Sequence, residues 1–156
     1  MKLVRATPAG FSFQLRKPEK ELLCDLLRRY PCVPAAHHRL SKSDHGAAQE
    51  ENQRLLDEAL AAHRQEQAQQ VRAFLEEPDR FAAVKAGWRL QLTAPQIEWL
   101  LQVLNDVRVG NWVILGSPDF EAGERVPLTD ENAERLWLME TAGFFQDHLL
   151  GAVGGH

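Results

Sequence analysis

Apolar residues recur along this chain with two different periods. Near the start they alternate: Phe11, Phe13 and Leu15 are separated by Ser12 and Gln14, the period of two that marks a half-buried strand. The turn residues Thr7-Pro8-Ala9-Gly10 divide that run from a second short run over 2–6, so residues 2–15 read as a β-hairpin. A lone hairpin is marginal in water, and this one must lie against helices.

From Pro18 the period lengthens. Leu22, Leu23, Leu26, Leu27 and Tyr30 recur at helical spacing, and Pro31 and Pro34 stop a helix over 18–30. Residues 31–46 are a polar loop. A long helix then runs over 47–76, with Leu55, Leu56, Ala59, Leu60, His63, Val71, Phe74 and Leu75 as a narrow stripe. At ~1.5 Å per residue it is ~45 Å long, more than a domain of this size covers, so part of it projects or meets another subunit.

The pattern next predicts a short helix from Asp79 to Ala86, capped by Gly87, and a short strand over 88–92. Thr93 and Gln96 form a capping box that opens a helix over 94–115. A loop over 117–128 leads to a last helix over 129–151. That helix is apolar on nearly all sides, through Leu136, Trp137, Leu138, Met139, Ala142, Phe144, Phe145, Leu149 and Leu150, and so belongs in the middle of a bundle.

The expected fold is therefore mainly α: a single domain over 1–156, a helical bundle of three long helices with short helices and an N-terminal β-hairpin packed on it. Its expected core is Leu22, Leu26, Leu55, Leu56, Phe74, Leu100, Leu104, Val107, Trp137, Phe144 and Phe145. A length of 156 residues with 44% hydrophobic and 26% charged residues suits one ordinary globular domain. The net charge of -4 argues against a protein that grips nucleic acid through phosphates. Arg16, Lys17, Lys20, Arg28 and Arg29 cluster near the first helix, but Glu19, Glu21 and Asp25 dilute them into a mixed-charge face. Two cysteines, Cys24 and Cys32, make no disulfide framework and read as reduced thiols, and neither a signal peptide nor a membrane span is evident, so the cytoplasm is the expected compartment.

The helix over 94–115 holds the most informative stretch. On a helical wheel Ile97, Leu100, Leu101, Leu104, Val107 and Leu115 share one face, Arg108 and Asn111 fall on it, and Asn105 and Trp112 flank it. Asp106 points the other way. A charge within an apolar stripe needs a partner. Asn105, Arg108, Asn111 and Trp112 are thus either a ligand-binding cluster or anchoring contacts of a central helix, and anchoring is the favoured reading.

Trp99-Leu100 followed by Leu104-Asn105-Asp106-Val107-Arg108 resembles the signature of the uncharacterised bacterial family DUF2017, a domain of unknown function. Trp137-Leu138 and Phe145-Gln146-Asp147 are similar to that family's closing aromatic and Gln-acid helix. The resemblance implies a bacterial protein and brings no activity with it.

Other chemistry is sparse. His37, His38 and His45 share a loop with Asp44, near Cys32, but adjacent histidines cannot easily bind one ion, so no metal is expected. His63 reads as packed, Cys24 as an inert buried thiol, and Asp119 and Glu121 as parts of a turn after Ser117-Pro118. No nucleophile-elbow, zinc-protease, P-loop or dinucleotide-binding run occurs, and no catalytic residue or cofactor is expected. Two functions stand open. One is a non-enzymatic interaction or adaptor protein, pairing with a second copy through the long helix or with another protein, and with neither nucleic acid nor a membrane. The other is a small enzyme or ligand-binding protein using Asn105, Arg108 and Asn111. The first is preferred.

Overall fold

Phe13 and Leu15, the inward positions of the second strand, are fully buried. Their burial is worth about 1.5–3 kcal/mol each and fixes which face of the sheet the helices cover. The computed structural model describes residues 1–34 and 47–155. Its elements are β1 (Lys2–Thr7), β2 (Gly10–Leu15), α1 (Lys17–Arg28), α2 (Ala47–Glu76), β3 (Phe81–Val84), β4 (Gly87–Leu92), α3 (Ala94–Ile114) and α4 (Asp130–Gly154). The described residues are mostly helical, with four helices and one antiparallel sheet in the order β1-β2-β4-β3.

The N-terminal hairpin is thus half of a four-stranded sheet. β2 pairs with β4 through Phe13↔Leu90 and Leu15↔Trp88, and Leu90 and Leu92 share the buried face with Phe13 and Leu15. The expected short helix over 79–86 is the strand β3, joined to β4 by the turn residues Lys85 and Ala86. Ala82 and Ala83 are strong helix formers, but over four residues their propensity is a small term, and pairing with β4 overrides it. The ring of Phe81, the first residue of β3, meets Phe74 of α2 edge-on, with ring centroids 6.3 Å apart. Gly87 is not a helix cap. Its φ is +125°, and a Cβ there would stand 2.3 Å from the carbonyl oxygen of Leu15.

α1 begins at Pro18 in its first turn. Glu19 is buried beside that turn and accepts from the Arg16 N–H at 2.7 Å, the Arg16 guanidinium at 3.0 Å and the Met1 ammonium at 2.6 Å. α3 is covered on two sides and packs along α4. α4 buries Leu138, Ala142, Phe145, Leu149 and Ala152, a single stripe at spacings of four and three.

This geometry corrects the expected core. Leu26, Phe74, Leu100, Leu104, Val107 and Phe145 are buried, and Leu22 and Leu56 are half-buried. Leu55, Trp137 and Phe144 are exposed, at 51%, 47% and 41%. α4 does not lie enclosed in the middle of the helices: one stripe suffices to bind it to α3, and its apolar far side faces solvent. α2 buries Val71 and Phe74, both near its C-terminus, while Leu55 and His63 are exposed. The expected loop residues His37, His38, Asp44 and His45 lie outside the described residues. No helix among the described residues is long and apolar enough to cross a membrane.

Two helical glycines should respond to alanine with opposite signs. At Gly110 a Cβ would lie 2.4 Å from the Cys32 carbonyl carbon and 2.6 Å from the Val33 nitrogen, so Gly110→Ala should destabilise by about 1–3 kcal/mol despite alanine's better helix propensity. At Gly143 nothing lies within 4 Å, and Gly143→Ala should stabilise by up to about 1 kcal/mol. Thermal unfolding reads both.

Glu19 makes a pH prediction. Burial acts to raise its carboxyl, but the hydrogen bonds from Met1 and Arg16 outweigh burial and hold it at about 2, below the ordinary 4.5. A lowered folded-state value means that the stabilisation is complete above pH 4.5 and is lost as pH falls toward 2. The contribution is on the order of 3 kcal/mol. In acid titrations followed by circular dichroism, Glu19→Gln should start less stable near neutrality and lose less stability over that window.

Candidate functional site

The buried arc of α3 is formed by Ile97, Trp99, Leu100, Val103, Leu104, Val107, Gly110 and Asn111. It extends from Leu100 toward Trp99 and Val103, not toward Leu101 and Leu115. The reason is that a second wall, made by α2 and the segment after α1, covers that side. Phe74 of α2 packs on Trp99 with ring centroids 5.3 Å apart, and the Trp99 indole N–H donates to Gln67 Oε1 at 2.6 Å.

The shift of the arc reverses the expected roles within the Leu104–Arg108 run. Asn105 and Arg108 are exposed. Asp106 stands at the border of the buried arc, and its Oδ1 accepts from the backbone N–H groups of Cys32 at 2.6 Å and Val33 at 3.3 Å. One turn later Gly110 lets the same backbone lie directly on the helix. The Val33 carbonyl in turn accepts from the Arg64 guanidinium of α2. Asp106, the Cys32–Val33 backbone and Arg64 thus link α3 to α2 through the segment that leaves α1.

The four expected site residues do not converge. Asn111 is buried; its Nδ2 donates to the Val107 carbonyl at 2.7 Å and its Oδ1 accepts from Arg135 Nη1 at 3.2 Å. Arg135 also pairs with Glu131 at 3.4 Å, and Arg29 reaches Glu134 at 3.0 Å, so both arginines tie down the first turns of α4. The Trp112 indole N–H donates to the Pro118 carbonyl at 3.0 Å and holds the loop after α3. In that loop Asp119 accepts from the Ala122 N–H at 2.9 Å, which is turn chemistry.

A cleft of about 210 Å³ lies beside Asp106, lined by Tyr30, His63, Arg64, Gln67 and Gln102. Burial, then the charge of Asp106, raises the Tyr30 phenol, which is therefore neutral at physiological pH. Burial, again aided by Asp106, pushes the Cys32 thiol up to about 11, and its Sγ donates to the Arg29 carbonyl at 3.0 Å. A protonated thiol turned to a carbonyl is a poor nucleophile. Burial likewise raises Cys24. Among the described residues no group of three His, Cys, Asp or Glu side chains is placed to hold a metal ion. The cleft combines one carboxylate already engaged by backbone, one guanidinium already engaged by a carbonyl, and neutral donors. That chemistry suits holding elements together.

The signal for this arrangement was present as spacing. Trp99, Val103, Asp106 and Gly110 follow one another at intervals of four, three and four, a second stripe beside the aliphatic one. A glycine in it marks close approach by another backbone. Comparison of the chain with protein-family models, with curated proteins and with solved structures finds no match.

Replacing Asp106 separates strut from surface. Asp106→Ala leaves two backbone N–H groups without their acceptor and should cost about 2–4 kcal/mol in urea unfolding. Asp106→Asn keeps one acceptor oxygen and should cost less. Asn105→Ala and Arg108→Ala should stay within about 0.5 kcal/mol of the parent, as exposed positions do.

Proposed function

We propose that the protein is a non-enzymatic interaction module that pairs with a second copy of itself through α2. The observation that carries this reading is the open face of α2. Leu55, Ala59, Ala62, Glu66, Gln69 and Ala73 follow at alternating intervals of four and three, and all six are exposed. That is the spacing of a coiled-coil seam; its three alanines let a second helix approach closely, and Glu66 and Gln69 are its polar positions. The seam lies roughly 100–160° around the helix from Phe74, Gln67 and Val71, which face the rest of the chain, so a partner helix can reach it from the exposed side.

Charge favours an antiparallel partner. The first half of α2 carries Glu50, Glu51, Asp57 and Glu58 against Arg54, and Arg54 is held between Glu51 and Glu58. The second half balances Arg64 and Arg72 against Glu66 and Glu76, so it is neutral where the first half is negative. Running two copies in opposite directions sets Arg72 of each against the acidic half of the other. In this reading α2, α3 and α4 are the three long members of one helical bundle, and the chain is a cytoplasmic protein of the DUF2017 type. The free thiols Cys24 and Cys32 support the compartment, and the Trp99–Arg108 run supports the family.

Sedimentation equilibrium tests the pairing. The protein should be a dimer in the micromolar range and dissociate on dilution. Leu55→Glu combined with Ala62→Glu should give a monomer with an unchanged circular dichroism spectrum, since both sites are exposed. A parent protein that stays monomeric into the hundred-micromolar range overturns the reading.

A further inference from the structure

Charge is segregated between the sheet and the rest of the molecule. Residues 1–17 and 80–97, which contain all four strands, carry Lys2, Arg5, Arg16, Lys17, Arg80, Lys85 and Arg89 and not one Asp or Glu. The 22 acidic residues lie elsewhere, in a chain whose net charge is -4.

The strand register gathers part of this charge on one face. Lys2 pairs with Gln14, and Gln14 with Arg89, giving one cross-strand row. Arg5 pairs with Ser12, and Ser12 with Gln91, giving the next. Phe13, Leu15, Leu90 and Leu92 belong to the opposite, helix-covered face. Lys2, Arg5, Arg89 and Gln91 are exposed, so this side of the sheet is open. The second row runs into a cleft of about 480 Å³ at the end of the sheet, lined by Arg5, Thr7, Ser12, Arg80 and Gln91 and by the carboxylate of Glu77. There Arg80 is held rigidly. Its guanidinium lies 4.5 Å from the Phe74 ring centroid, donates to the Gln91 carbonyl at 2.9 Å and pairs with Glu77, while its Nε is buried without a partner.

We propose that the open face of the sheet docks an extended acidic polypeptide segment, with carboxylates seated on Arg5 and Arg89. Arg5 and Arg89 lie in adjacent rows with β2 between their strands, so with strands ~4.8 Å apart and rows ~6.6 Å apart they stand ~12 Å from each other, close to the ~13 Å between same-side residues four apart in an extended chain. Guanidinium groups take carboxylates bidentately, and Ser12, Gln91 and the amide oxygen of Gln14, whose nitrogen donates to the Ala86 carbonyl at 2.9 Å, supply polar groups for the segment's backbone. The same face is poorly built for nucleic acid. Phe11, Phe13, Phe81 and Trp88 all register on the other side, so no aromatic platform is left for stacking bases. A duplex would also extend past the sheet onto the acidic helices. A short carboxylate segment is confined to the cationic area.

The proposal does not depend on pairing through α2, and fluorescence anisotropy tests it separately. The probes are a labelled decapeptide of alternating Glu and Thr, a labelled oligothymidine and a labelled DNA duplex. The peptide should bind the full chain in the micromolar range and weaken as salt rises. Arg5→Ala with Arg89→Ala should weaken it at least tenfold without changing the circular dichroism spectrum. The Leu55→Glu, Ala62→Glu chain should bind it as the parent does. Absence of peptide binding, binding unchanged by the double arginine variant, or tighter binding of either nucleic acid would each overturn the proposal.

Discussion

The contact on which the other elements depend is the seating of the Cys32–Val33 backbone against α3. Two features of α3 make it: Gly110, where no side chain intervenes, and Asp106, whose carboxylate accepts both backbone N–H groups. A backbone segment pressed against a helix brings polar groups out of water, and it is stable there only when they are paired. Asp106 supplies that pairing on one side and Arg64 on the other. The exit of α1, the middle of α3 and the second half of α2 are thereby held in one arrangement. The buried faces of Trp99, Val103 and Phe74 follow from it.

Around this point the molecule divides into a tightly satisfied interior and two unusually simple surfaces. Inside, polar side chains near α3 are spent on neighbouring elements: Asn111 on Val107 and Arg135, Trp112 on Pro118, Trp99 on Gln67. Outside, α2 offers a regular stripe of Leu55, Ala59 and Ala62, and the sheet offers a field of one sign. Neither surface contains a nucleophile matched to a base. Both have the repetitive geometry, helical in one case and strand-like in the other, by which one polypeptide recognises another. The proposed interaction role rests on that geometry.

How much of this was legible in the sequence depends on whether a signal was local. Phe11, Phe13 and Leu15 announced a strand by alternation, Thr93 and Gln96 announced the start of α3, and α2 was visible over its whole length between turn residues and Pro78. β3 was not legible. Phe81-Ala82-Ala83-Val84 is too short for either period to show, and only the presence of β4 beside it selects the strand. The wheel of α3 was read from its strongest aliphatic side. The true buried arc is wider, because α3 is covered twice, and that moved Asp106 inward and Arg108 and Asn105 outward. On α4 the error ran the other way: many apolar residues suggested enclosure, yet Trp137 and Phe144 lie outside the one stripe that packs.

The sequence by itself determined the element types wherever backbone preference and hydrophobic period agree, because both act within a few residues. It also determined the uneven placement of charge, which is a property of position along the chain. Tertiary structure alone decided which polar residues are struts and which are surface. A carboxylate such as Asp106 is a strut only when two N–H groups arrive from more than seventy residues away, and no local pattern encodes that arrival. The strand register likewise decided that Lys2, Arg5 and Arg89 share one face, since antiparallel pairing aligns residues that are far apart in sequence.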